Sequence, residues 1–274
     1  MTMAALRAWV GGLTLDAWFM LGITAFLTAI PLVPSAAQAA CSTGVLLLTV
    51  IAWSKRYKAS APVGIFSIAC LALAVTSLPY SQIILGGGLL AYAVVATRVV
   101  WMRGATIWVR WGLFGVDVQV LAAASVLTSA IALWGWLFLL HPNVDDIVQT
   151  FVPDAPLAVL IAGGLLFSML NAAVEEGAYR GVLLHGLDTA LGQGSVALFL
   201  QAAAFGALHV HGFPRGVLGV GLATIYGLLM GLIRRRAGGM LAPWVAHVFT
   251  DIVIAGIILT MAQPDIPLHP TDSS

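Results

Sequence analysis

LAVLIAGGLLFSMLNAAVEEGAYRGVLLHG, residues 157–186, decides how this chain is read. From Leu157 to Val174 only Ser168 and Asn171 carry polar side chains, and the apolar stretch through Gly186 exceeds the ~20 residues a helix needs to cross a ~30 Å hydrocarbon core. Within it stand Glu175 and Glu176, the only two glutamates of the chain. The same character extends outward. Hydrophobic residues make up 61% of the sequence and charged residues 8%, against roughly 25% charged in soluble domains, so a water-facing surface cannot be assembled. The apolar residues fall in long blocks without the alternation of a membrane barrel. In lipid the backbone must satisfy its own hydrogen bonds, and the expected fold is therefore all-α, a polytopic transmembrane helix bundle of eight or nine spans.

The blocks run near Leu15 to Pro34, Ala40 to Ser54, Pro62 to Leu78, Gln82 to Val100, Asp117 to Leu140, Leu157 to Gly186, Gly194 to Val210, Gly216 to Ile233 and Met240 to Met261. Ala40 to Ser54 is the weakest, short enough to be tilted or re-entrant. With nine spans and a cytoplasmic N-terminus, Arg7, Lys55, Arg56, Lys58, Arg98, Arg103, Arg110, Arg234, Arg235 and Arg236 all fall on the cytoplasmic side and only Arg215 falls outside, as the positive-inside rule asks. The expected location is a multi-pass protein of the cell membrane. The connection 141–156, with Asp145, Asp146 and Asp154, then lies outside with the acidic tail. The expected division is a variable N-terminal set of helices, 1–112, and a functional helix bundle, 113–274. The net charge of +1 offers no concentrated basic surface, which excludes a nucleic-acid partner; the bilayer is the expected one. Cys41 and Cys70 lie in apolar stretches and read as small buried hydrophobes.

Ionisable residues inside a bilayer cost roughly 2.5 to 3.5 kcal/mol each at a helix centre and are functional candidates by default. Arg180 follows Glu176 at i,i+4 with the acid N-terminal, so this pair can neutralise itself along one helix face. Glu175 points elsewhere, is left without an in-helix cation to pair with, and is a natural general base. A second candidate is Phe205-Gly206-Ala207-Leu208-His209. Glu175 and His209 are equally distant along the chain from the turn at Gly192, so antiparallel helices bring carboxylate and imidazole to one depth. Ala202, Ala203, Ala204 and Gly206 would allow those helices to approach closely. The third candidate, His247-Val248-Phe249-Thr250-Asp251, places an imidazole and a carboxylate on one helix face, where the acid can orient the ring or share a metal.

Glu-Glu-x-x-x-Arg at Glu175, Glu176 and Arg180, Phe-x-x-x-His at Phe205 and His209, and His-x-x-x-Asp at His247 and Asp251 together resemble the CPBP family, the Abi-like CAAX proteases and bacteriocin-processing enzymes. The resemblance spans about Leu157 to Met261. It implies an intramembrane endopeptidase acting on a membrane-associated peptide or protein, with Glu175 and His209 activating water, His247 and Asp251 completing the site, and Glu176, Arg180 and Phe205 in support. The last motif position holds Asn in some members and Asp in others; an ionised Asp251 cannot donate to an oxyanion, so it would orient His247, bind a metal or stay protonated. Members are often labelled metalloproteases, and Glu175, His209 and His247 would suit Zn²⁺, yet a metal-free glutamate mechanism fits the same residues.

His-Glu-x-x-His, Gly-x-Ser-x-Gly and paired aspartates in a Gly-x-Gly-Asp setting are absent from the sequence. Two other readings stay open: a transporter or channel using a Glu/His/Asp relay, and a non-catalytic scaffold or immunity protein of the same fold. If Gly216 to Ile233 spans fully, ideal straight helices leave His209 and His247 at different depths. The segment His209 to Pro214 is therefore expected to be broken or recessed into the protein.

Overall fold

The computed structural model describes residues 10–76, 81–140, 142, 148–149 and 152–262, and among these it contains helices and no strands. In chain order they are α1 (Leu15–Ala29), α2 (Ser35–Ser54), α3 (Ser60–Ala74), α4 (Ser81–Arg98), α5 (Val116–Leu140), α6 (Leu157–Glu176), α7 (Leu184–Leu191), α8 (Ser195–Leu208), α9 (Gly216–Ala237) and α10 (Leu241–Met261). A π-helical segment, Gly177–Leu183, joins α6 to α7 without a break in the rod. Seven stretches are long and apolar enough to cross a membrane, and two shorter apolar ones, Ser60–Ala74 and Ser195–His211, occupy the remaining expected blocks.

Two boundaries differ from the expectation. The block expected to be weakest, 40–54, is a full helix of 20 residues, because Ser35-Ala36-Ala37-Gln38-Ala39 is itself helical after Pro34; alanine is the strongest helix former. Conversely, α3 ends at Ala74, and the expected end at Leu78 lies outside the described residues, as do Asp145, Asp146 and the acidic tail.

The outer face is apolar, and the charged side chains of the central helices are held inside. Leu165, Leu166, Leu170, Phe199 and Ile225 face outward, while Arg180 and Gln201 are 0% exposed and Glu176 1%. This is the distribution expected when lipid is the solvent. One core cluster gathers Met20 and Ile23 of α1, Val63 and Phe66 of α3, and Tyr92 of α4 against Ala178, Val182 and Leu187 of the central rod and Ala204 of α8. A second packs Val118 and Ala122 of α5 with Met230 and Ile233 of α9 and Ala242 and Ala246 of α10. The connections are fastened as well. Asp16 at the start of α1 accepts hydrogen bonds from the backbone of Ala59 and Ser60 at 3.0 and 2.9 Å, holding the N-terminus of α3. Arg110 to Leu113 pairs with the turn between α9 and α10 through Leu113 N–H to Ala237 O at 2.8 Å and Met240 N–H to Arg110 O at 2.8 Å. The base of α10, which carries His247, is thereby fixed.

Candidate active site

The central rod, Leu157–Leu191, is 35 residues long, about 52 Å at 1.5 Å per residue, and Glu175 lies close to its middle. The π segment begins directly after the glutamates, a position where such widened turns are often found beside functional groups. The widening leaves the expected pair intact: Arg180 Nη1 lies 3.0 Å from Glu176 Oε1. Among the described residues the guanidinium makes no aligned hydrogen bond, and it sits 4.3 Å over the Phe205 ring. A buried charge is thus offset by one counter-ion and one aromatic face, the latter contributing about 2 kcal/mol when desolvated.

His247 of α10 projects onto the same acids. Its Nδ1–H donates to Glu176 Oε1 at 2.8 Å, and its Nε2 faces Asp251 Oδ1 at 3.5 Å and Glu175 Oε2 at 3.7 Å. The acid nearest the ring is therefore Glu176. Asp251, whose i,i+4 spacing allows it to orient the ring or share a metal, stands at longer range, and its other oxygen, Oδ2, is held by Asn171 Nδ2–H at 2.9 Å. Asn171 in turn accepts from Gln82 Nε2–H at 3.0 Å. Glu175, Glu176 and Asp251 thus surround one imidazole, and Arg180 supplies the fixed cation.

His209 arrives from the opposite wall. α8 stops at Leu208 and the chain tightens into a 3-10 turn, His209–His211. The ring's Nδ1–H donates to Phe205 O at 2.9 Å, which leaves Nε2 available. Phe205 lies between the two histidines, 4.6 Å from the His209 ring and 6.3 Å from the His247 ring, so the Phe-x-x-x-His spacing places a spacer as well as a ligand-like ring. The break expected at His209 to Pro214 is present, and the segment is packed closely against α9. A Cβ on Gly219 would meet the Pro214 carbonyl carbon at 2.7 Å and His209 O at 3.0 Å, so the glycine lets this segment fold onto the first turns of α9. The small residues of α8 serve a different neighbour from the one expected. Gly206 abuts Val220 and Thr224, and Ala202 abuts Gly227, so the close approach is to α9 rather than to α6.

One cavity of about 970 Å³ has Asn171, Glu175, Phe205, His209, His247 and Asp251 in its walls. Glu176 and Arg180 stand behind it. Residues 155–253 match the family model described as type II CAAX prenyl endopeptidase Rce1-like. Over this segment the chain is similar to the CAAX proteases. No curated protein and no solved structure matches the chain. Its apolar helices make it a membrane protein, and the similarity of this segment to a protease family points to a peptide or protein substrate.

Within the CAAX protease segment lie all three motifs and Asn171, whereas Gln82 reaches the site from α4, outside it. Among the described residues no group of three or more His, Cys, Asp or Glu is placed to hold a metal ion, the trio Glu175, His209 and His247 included. Three contributors were not singled out from the sequence. Asn171 lies one helical turn before Glu175, and both it and Gln82 were visible as the lone amide of their helices; Tyr226 carried no such signal. The Tyr226 ring lies 5.3 Å from that of His247 and closes its remaining side.

Proposed function

We propose that this protein is an intramembrane endopeptidase in which Glu175, assisted by His209, activates water for attack on a peptide bond of a membrane-associated substrate. The observation that carries the reading is the meeting of Glu175, His209, His247 and Asp251 on one cavity among helices whose outer faces are apolar. Water is a poor nucleophile until its proton is removed. Glu175 takes that proton as the water oxygen bonds to the carbonyl carbon. His209, its Nδ1–H committed to the Phe205 carbonyl, offers Nε2 as an acceptor that orients the same water. Charge then develops on the carbonyl oxygen and requires a donor. His247 is flanked by Glu176 at Nδ1 and by Asp251 and Glu175 at Nε2, an acceptor-rich setting that supports the imidazolium form with an N–H directed into the cavity. Asp251 then steadies this cation and does not contact the oxyanion. The carbon–nitrogen bond breaks as Glu175 returns its proton to the leaving amine. Each step is met by a residue of the chain, and the mechanism is glutamate-based.

A cytoplasmic N-terminus in the cell membrane accords with the basic residues gathered at one set of helix ends. The test is Glu175→Gln in protein reconstituted with a membrane-anchored peptide library. Loss of cleavage by about 10²- to 10⁴-fold, the usual contribution of a general base, with unchanged folding is the expected result. Cleavage at the parental rate would remove Glu175 from the mechanism, and ion or solute flux abolished by the same substitution would favour a relay for transport instead.

A further inference from the structure

The N-terminal helices contribute a group to the site through a directional pair of amides. Gln82 Nε2–H donates to Asn171 Oδ1, and Asn171 Nδ2–H donates to Asp251 Oδ2. Asn171 is 7% exposed and Asp251 9%, so bulk water does not substitute freely in the bond between them, while Gln82 is half-buried. The order of the bonds matters because an amide has one accepting and one donating end. By occupying the carbonyl of Asn171, Gln82 turns the amino group of Asn171 toward Asp251. Asp251 then needs only an acceptor oxygen there, and its other oxygen, Oδ1, faces His247 Nε2 at 3.5 Å.

We propose that Gln82 is a positioning residue of the active site, selecting through Asn171 the acceptor state of Asp251 and with it the N–H that His247 presents to the cavity. The proposal rests on the hydrolase reading for its consequence in catalysis, while the relay itself is a statement about three side chains. It assigns α4 a part in the chemistry, although this helix lies outside the segment that matches the protease family. It also explains how a site with Asp at position 251 works. An asparagine there could donate to an oxyanion directly; a carboxylate cannot, and the relay passes the donor role to His247.

Gln82→Glu tests the direction of the bonds, since it keeps the shape of the side chain and exchanges its donor for an acceptor. Asn171 must then turn its amino group toward position 82 and its carbonyl toward Asp251, where two acceptors oppose each other. In purified, reconstituted protein, Gln82→Glu is expected to lower kcat about tenfold with KM within about twofold, the size of one buried hydrogen bond lost. Combined with Asp251→Asn, whose amide can donate to the turned Asn171 carbonyl, the same substitution should lose its penalty relative to Asp251→Asn alone. A merely packing role for Gln82 predicts no effect of the isosteric change, and an equal penalty in both backgrounds would overturn the relay. The imidazole ¹⁵N resonances give a readout free of activity. Gln82→Glu should move those of His247 and leave those of His209 in place, and unmoved His247 resonances would refute the proposal whether or not the protein cleaves peptides. Failure of the hydrolase reading is separate, since it is registered by Glu175→Gln.

Discussion

Removing the charge of Glu176 should destabilise the fold before it affects the chemistry. Its carboxylate is the sole ionic partner, among the described residues, at hydrogen-bonding range of a guanidinium that is 0% exposed. Breaking a buried pair by neutralising one member costs about 3 to 5 kcal/mol, because the other charge is left in a medium that solvates it poorly. The Phe205 face at 4.3 Å persists in the variant and retains part of the compensation, which places Glu176→Gln at the lower end, about 3 kcal/mol or roughly 150-fold in the folding equilibrium. The amide oxygen introduced at this position still accepts from His247 Nδ1–H, so the imidazole keeps its orientation. Adding Arg180→Met removes the stranded cation and supplies an apolar side chain of similar reach. The double variant should regain most of the loss, since apolar replacements of buried pairs are often neutral. Equilibrium unfolding in dodecyl maltoside micelles titrated with SDS measures both quantities. A single variant as stable as the parent, or a double variant no more stable than the single, would refute this account of the Arg180 environment.

Two further outcomes follow from the geometry of the cavity. Gly219→Val should push the His209 to Pro214 segment off α9, because a Cβ there would lie 3.0 Å from His209 O; cleavage should fall steeply while stability drops by about 1 to 3 kcal/mol, the range for overpacking, and parental cleavage would show that this packing does not position His209. Exhaustive chelation followed by re-addition of Zn²⁺ should leave cleavage of a membrane-anchored peptide unchanged, since no donor trio among the described residues is placed to hold the ion; loss and zinc-specific recovery of the rate would instead establish a metal mechanism.

The membrane class and the three motifs could be read from the chain because each rests on short-range chemistry. Apolar length decides what can cross a bilayer, and a charge in such a run announces itself at once, as Glu175, Glu176 and Arg180 do. Helical spacing was enough to foresee the Glu176–Arg180 pair, which survives even across a π segment. It was also enough to demand that His209 to Pro214 be broken or recessed, although not to say that Gly219 makes the room.

Partnerships between helices were not legible in the same way. Periodicity placed Asp251 beside His247, but the hydrogen bond went to Glu176, because the distance that decides it is set by how α10 crosses the central rod. The small residues of α8 announced a close approach and left its partner, α9, unnamed. Gln82 is the clearest case: a lone amide in an apolar helix is chemically ambiguous until packing brings it to Asn171. Residue types and their spacing along one helix thus establish which groups are present and at what depth in the membrane. Which of them touch depends on the rotation and crossing of separate rods, a property of the assembled core that no single segment contains.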